Sequence, residues 1–165
     1  MKIIYSTGNI VDSNDYILVN TVNCVGVMGK GVALAFKERY GNSLMLPYRN
    51  ACSKKILVAG GIYPLTLKDP LSLKEKLIIN FATKNHWKDP SKYEWIEAGL
   101  IRFKKFLKRE FPEGTFVDLI TGISDPLTIS IPRLGCGNGG LNWAKVEPMI
   151  VKTFEDTNYS ISLYS

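Results

Sequence analysis

Residues 16–40 read YILVNTVNCVGVMGKGVALAFKERY. The first part, Tyr16–Val22, is almost wholly apolar and rich in β-branched side chains, the composition of a strand buried on both faces. Gly26-Val-Met-Gly-Lys-Gly31 then interrupts the apolar run. From Val32 a helical period takes over: Val32, Ala35, Phe36 and Tyr40 share one face, and Gly41 supplies the C-terminal stop. Strand, glycine turn and helix in that order form the basic unit of an α/β fold. Such a turn leaves backbone N–H groups exposed beside the positive end of a helix, which is what an anion needs.

Working outward, the same arrangement recurs once. Gly135-Cys-Gly-Asn-Gly-Gly140 follows the apolar run Leu127–Ile131 and precedes a helical pattern with Val146, Ile150 and Phe154 inward. Four glycines in six residues carry a conformational-entropy cost that a plain turn rarely needs. Further strands are expected at Lys2–Tyr5, Ile56–Ala59, Leu77–Phe81 and Tyr159–Leu163. A long helix spans Tyr93 to Glu110, with Ile96, Leu100, Phe103 and Leu107 on one stripe. Ser43 is placed to cap a helix running toward Cys52. Pro148 suits a first helical turn, so Trp143–Lys145 read as a separate turn before it. Gly114–Pro126 is undecided, since Phe116–Ile120 reads equally as strand or extended loop. Alternating strands and helices predict one three-layer α/β/α domain over residues 1–165, with a mixed, mostly parallel central sheet. Both glycine turns then fall beyond strand C-terminal ends, where such folds bind ligands.

Composition narrows the function classes. At 165 residues the chain can bury a core without metals or disulfides. Cys24, Cys52 and Cys136 are odd in number and unclustered, and His86 is the single histidine. A disulfide framework or a zinc site is therefore not expected, and a reducing, cytoplasmic compartment fits. No stretch reads as a signal peptide or a membrane span. A net charge of +6 points toward a polyanionic partner. The first turn is neither a Walker A sequence, because Lys30 precedes glycine, nor the G-x-G-x-x-G dinucleotide fingerprint. Two turns of this kind in one chain fit a ligand with two phosphates, held from both sides. Asn23 reads either as a turn former or as a double-ended hydrogen-bonder for ribose hydroxyls. Asn138 reads as a turn residue or as a donor to sugar or phosphate.

Three stretches together resemble the macrodomain, an ADP-ribose-binding α/β/α module: Thr7-Gly-Asn-Ile10, Val19-Asn-Thr-Val-Asn23 leading into the first turn, and Ile131-Pro-Arg-Leu-Gly-Cys-Gly-Asn-Gly-Gly-Leu-Asn-Trp143. The resemblance covers essentially the whole chain. Within the family, the first turn together with Phe81-Ala-Thr-Lys-Asn-His-Trp87 looks most like the macrodomain of DarG antitoxins, which remove ADP-ribose placed by the DarT toxin on thymidine of DNA. A protein-directed terminal ADP-ribose glycohydrolase is a more distant relative.

The resemblance implies a role for each motif. Gly26, Met28, Gly29, Gly31 and Val32 on one side would hold the diphosphate, with Gly135, Cys136, Gly137, Asn138 and Gly139 on the other. Asn23 would contact the distal ribose, while Asn9 and Ile10 would frame the adenine. Most macrodomains carry aspartate where this chain has Asn9, which accepts without charge assistance and hence more weakly. DarG-like members share the asparagine. Lys84 matches the catalytic lysine of that branch, and it would act as a nucleophile on the anomeric carbon or as an acid toward the leaving base. An ordinary lysine, with a pKa of about 10.4, is neutral in only about one molecule in 2,500 at pH 7. A nucleophilic Lys84 thus needs burial or nearby positive charge, such as Lys30 or a helix N-terminus; an acid does not.

The protein-directed relative has an aspartate within the second turn, where this chain reads Gly137-Asn138-Gly139. Asp125, before Pro126, reads as the start of a turn. Trp87 reads either as a cap on the core or as a stacking surface for a flipped or single-stranded base. His86 reads as a loop hydrogen-bonder. Lys84, Lys88 and Lys92 with Arg102, Lys104, Lys105, Lys108 and Arg109 form either a DNA-backbone track or, for the helical part, a solvated face. The expected partner is ADP-ribosylated, single-stranded DNA, with no metal or cofactor, and the expected state is a monomer. Complete DarG proteins continue into a toxin-binding region. A chain of this length would reverse the modification without blocking the toxin by that route.

Overall fold

Eight strands and four helices alternate along the chain in the computed structural model, which describes residues 1–165. The strands are β1 (Lys2–Ser6), β2 (Ile17–Val22), β3 (Ile62–Lys68), β4 (Glu75–Ala82), β5 (Thr115–Val117), β6 (Ser124–Pro126), β7 (Thr128–Ile131) and β8 (Ser160–Tyr164). The helices are α1 (Gly31–Tyr40), α2 (Asn42–Ser53), α3 (Tyr93–Glu110) and α4 (Trp143–Phe154). Six strands form one sheet in the order β1-β8-β7-β2-β4-β3, parallel except for β3 at the edge. The remaining two, β5 and β6, pair as a separate antiparallel hairpin. This is the expected three-layer domain with a mixed, mostly parallel sheet.

Two cores lie on the two faces of the sheet, and the period of two along the central strands β2 and β4 feeds both. Ile17 and Val19 of β2, with Leu77, Ile79 and Phe81 of β4, point into the larger core beneath α3 and α4. Leu18, Val22, Ile78 and Ala82 point the other way, against Phe36, Leu44 and Tyr48 of α1 and α2. Strands that must satisfy two cores have no polar face, which is why their sequences are nearly continuous apolar runs.

The topology places a ligand site. From β2 the chain passes through α1, α2 and β3 to β4 on one side, while from β7 it passes through α4 to β8 on the other. The turns after β2 and β7 therefore diverge, forming the switch point at which open α/β sheets bind ligands. The two strands also separate: only Ile17↔Ile129 and Leu18↔Ser130 are paired, whereas β2 pairs with β4 over its whole length.

Several local expectations are corrected. Ile56–Ala59 is not a strand but the turn after α2, in which Leu57 alone is buried. The strand is Ile62–Lys68, which contains Pro64; Pro is tolerated there because β3 is an edge strand and needs fewer N–H donors. Ser43 does not cap α2. Gly41, at φ 59°, ends α1 and starts α2 at once, and the Ser43 hydroxyl donates to the Tyr40 carbonyl instead. Trp143–Lys145 are the first turn of α4 itself, because the Asn142 side chain caps it by accepting from the Ala144 N–H. Asp125 lies in β6 opposite Phe116 rather than starting a turn. Phe116 and Val117 prove to be strand, followed by a turn.

Candidate active site

Where β2 and β7 part, a cleft of about 1110 Å³ opens at the C-terminal edge of the sheet. One wall is the first glycine turn and the start of α1. The helix begins at Gly31 with no side-chain cap, and the backbone of Lys30 before it is extended. Gly31, Val32 and Ala33 line the cleft, so first-turn N–H groups that no side chain satisfies face it.

The other wall is the second turn, which folds as a short 3-10 segment over Gly137–Gly139 and leaves through Gly140 in the left-handed region at φ 79°. Its position is set by Ser91, whose N–H donates to the Gly139 carbonyl at 2.9 Å. No side chain fits at Gly139: a Cβ would lie 2.4 Å from the Ser91 hydroxyl oxygen. That oxygen is buried and has no hydrogen-bond partner.

Asn138 joins the walls. Its amide nitrogen lies 3.5 Å from where a Cβ on Gly31 would stand. Its carbonyl accepts from the Lys84 Nζ at 2.8 Å. Lys84 follows β4, two residues past Ala82, and its Nζ also reaches the Trp87 carbonyl at 3.4 Å. The Lys84 segment is bound in turn to the first glycine turn: the Cys24 N–H donates to the Asn85 carbonyl at 2.9 Å, and the Cys24 thiol to the Lys84 carbonyl at 3.4 Å. Burial pushes that thiol up to about 12. Both glycine turns and Lys84 thus converge on one point.

Asn23 lies at the cleft floor, 8% exposed, with most of its amide already engaged. Its Oδ1 accepts from the Val25 and Val27 N–H groups and from the Tyr48 hydroxyl, and its Nδ2 donates to the Val27 carbonyl. The turn-forming reading of Asn23 therefore holds, and one N–H of its amide has no partner within the chain. Asn9 is likewise partly engaged, accepting the Val11 N–H at 3.2 Å at the start of the short helical turn Ile10–Asp12. Asn9 and Ile10 line the cleft. So do Gly29, Gly31, Val32, Gly135, Cys136, Gly137, Asn138 and Gly139.

Gly26 and Met28 do not. Gly26 faces Arg49 of α2. Met28 is 1% exposed and points down into the smaller core, its sulfur 3.8 Å from Nδ2 of the buried Asn20. Asn20 in turn donates to Asn80 on β4. Met28 anchors the turn from below, while its neighbours Val27 and Gly29 line the cleft.

Sequence reasoning missed other parts of the site. Arg133 lines the cleft with Lys30, Lys84 and Lys88, and no acidic side chain lies among the lining residues. Arg133 had a signal, since it stands two residues before Gly135 in a quoted motif; Tyr48 had none. His86 is a loop hydrogen-bonder, its Nδ1 accepting the Lys88 N–H at 3.1 Å. The basic cluster divides: Lys84 and Lys88 belong to the cleft, whereas Lys104, Lys105 and Lys108 line a separate groove between α3 and α4. Asp125, on the hairpin, is not among the cleft residues.

Comparison with known proteins places this geometry. The Macro domain model matches residues 19–150. The DNA ADP-ribosyl glycohydrolase of Mycobacterium tuberculosis is 40% identical over 158 residues, which cover 93% of this chain and 39% of that protein. The chain therefore spans about two fifths of the length of that curated relative. Among solved structures, the macrodomain of Mycobacterium tuberculosis DarG superposes with a TM-score of 0.81 at 37% identity, covering 98% of this chain and 96% of that one. Thermosipho africanus DarTG in complex with ADP-ribose gives a TM-score of 0.78 at 30% identity, covering 98% of this chain and 41% of that one. With the family model spanning both glycine turns and Lys84, this chain belongs to the macrodomain family.

Proposed function

We propose that the chain is an ADP-ribosyl glycohydrolase that releases ADP-ribose from a DNA base, thymine foremost. The observation that carries this is the position of Lys84: its Nζ sits on the Asn138 carbonyl where the two glycine turns meet, in a cleft lined by basic side chains and no acidic one. The relatives add support. The Mycobacterium tuberculosis protein is named for this activity, and a Thermosipho africanus relative is a fusion of a DNA ADP-ribosyl transferase with such a glycohydrolase.

In this mechanism the N–H groups of Gly31–Ala33 and of Gly137–Gly139 hold the diphosphate, and the free N–H of Asn23 meets the distal ribose. Fixing the diphosphate brings the anomeric carbon to Lys84, so much of the rate comes from orientation. The bond from that carbon to the base nitrogen breaks, and its electron pair leaves with the base. The base gains a proton, and water supplies the hydroxyl to the carbon. Lys84 acts as the donor toward the departing base rather than as the nucleophile. Its Nζ donates to two carbonyl oxygens, and no cleft side chain is a carboxylate or imidazole that could take its proton first. The substrate strand is single-stranded, and the acting species is a cytoplasmic monomer.

The test offers the protein two substrates: an oligonucleotide carrying ADP-ribosylated thymidine, and a protein carrying glutamate-linked ADP-ribose. Release of ADP-ribose from the oligonucleotide is expected; release from the protein alone overturns the DNA assignment. Lys84→Ala is expected to cut hydrolysis by at least a hundredfold while retaining ADP-ribose binding, which separates an enzyme from a reader. Cyanoborohydride during turnover is expected to trap no lysine-linked sugar; a trapped adduct at Lys84 makes it the nucleophile.

A further inference from the structure

Trp87 is a large apolar side chain that the fold leaves in the open. It is 49% exposed, belongs to neither core, and lines the cleft, so it does not cap the core. Burying an indole is among the larger apolar gains a side chain offers, so an exposed one beside a ligand cleft has a use outside folding. Its backbone carbonyl is 3.4 Å from the Lys84 Nζ, which puts the residue next to the reacting centre. The Lys88 ammonium sits 5.1 Å from the indole centroid, and the His86 ring is tilted against it at 5.2 Å. From the first glycine turn Val27, 43% exposed, lines the same cleft. The cleft that holds Lys84 thus offers an aromatic plane, an aliphatic surface and a cation. A flat ring with a nearby negative charge fits that set, and a nucleobase within a phosphodiester chain has both properties.

We propose that Trp87 is the platform on which the leaving nucleobase stacks, with Lys88 meeting the phosphate of the same strand. The subsite rests on the glycohydrolase assignment and extends it, because it explains how one cleft selects a base over an amino-acid side chain as the group attached to ADP-ribose. Stacking holds the base out of its strand, and Lys84 then has a fixed group to protonate. The loop is held for that purpose: Cys24 binds Asn85, and the Asp89 N–H donates to the His86 carbonyl at 3.0 Å.

The experiment measures binding in the Lys84→Ala protein, so that substrate survives. Two ligands are titrated, the ADP-ribosyl-thymidine oligonucleotide and free ADP-ribose, with Trp87 intact and as Trp87→Ala and Trp87→Phe. Trp87→Ala is expected to weaken the oligonucleotide about tenfold and free ADP-ribose less than twofold, and Trp87→Phe to restore most of the loss. Equal losses for both ligands overturn the platform and make Trp87 a wall of the ADP-ribose site. An oligonucleotide that binds no better than ADP-ribose with Trp87 intact also overturns it. Hydrolysis by the unmodified protein is scored separately, so failure of the glycohydrolase assignment is not confused with failure of the subsite.

Discussion

Asn23 shows how much a single residue can carry and how little of that is visible in a sequence. Its type and its place after an apolar strand mark a double-ended hydrogen-bonder, and both of its readings came from that. The sequence did not reveal that a tyrosine twenty-five residues away completes it. The Tyr48 hydroxyl, fully buried, donates toward both the carbonyl and Oδ1 of Asn23 at 2.8 Å. Burial pushes that phenol far up, so it remains a donor throughout the physiological range. Tyr48→Phe removes the donor and nothing else from the packing. We expect a loss of about 1 kcal/mol of stability in urea titration and a severalfold weaker ADP-ribose affinity by calorimetry, with the chemical step unchanged. Met28 makes the converse point. Within a glycine-rich run every position looks like ligand contact, yet the one long apolar side chain is the anchor that turns inward.

At the level of elements, legibility followed burial. Strands β2 and β4 serve both cores, while β7 and β8 bury Ile129, Ile131, Ile161 and Leu163 in the larger one, and the apolar runs of all four are readable to within two residues. The edge strand β3 was not: Pro64 reads as a break, while the nearby Ile56-Leu57-Val58 run imitates a strand although only Leu57 is buried. The α1 helix depends on a tie that no motif announces. Arg39 donates to the Val11 carbonyl, to Asp69 in the turn after β3, and to Asp12, linking the helix that opens at the first glycine turn to the segment behind Asn9 and Ile10. Burial alone would raise the Asp69 carboxyl; bonds from the Leu71 N–H, the Ser72 hydroxyl and Arg39 outweigh it and hold it below the usual carboxylate range. Its stabilisation is therefore fully present above the unfolded value of about 3.9 and is lost as pH falls through the lower folded value. Asp69→Asn should cost about 2 kcal/mol near neutral pH and flatten the loss of urea stability between pH 4 and the folded value. An unchanged acid profile would show that Asp69 does not set it.

For the molecule as a whole, net charge matters less than where it gathers. The excess of +6 is modest, but Lys30, Lys84, Lys88 and Arg133 all reach one cleft without an acidic side chain among them. On the proposed function, free ADP-ribose meets part of that field, and a modified strand meets Lys88 as well. Affinity for the modified oligonucleotide should then fall more steeply between 50 and 200 mM salt than affinity for ADP-ribose, by about 0.7 of a unit of log–log slope for each extra phosphate contacted on a single strand. Parallel slopes would mean that the strand beyond the base is not held. The short pairing between β2 and β7 gives the same cleft its gauge. Neighbouring strands in a full ladder run about 4.8 Å apart, too narrow a slot for a sugar–diphosphate between their turns. With its apex at Leu18 and Ser130, the sheet works as a wedge, and Asn138 bars its open end against Gly31. The gap between the two glycine turns is thus set by where the ladder stops, at Leu18 and Ser130, rather than by any residue at the rim of the cleft.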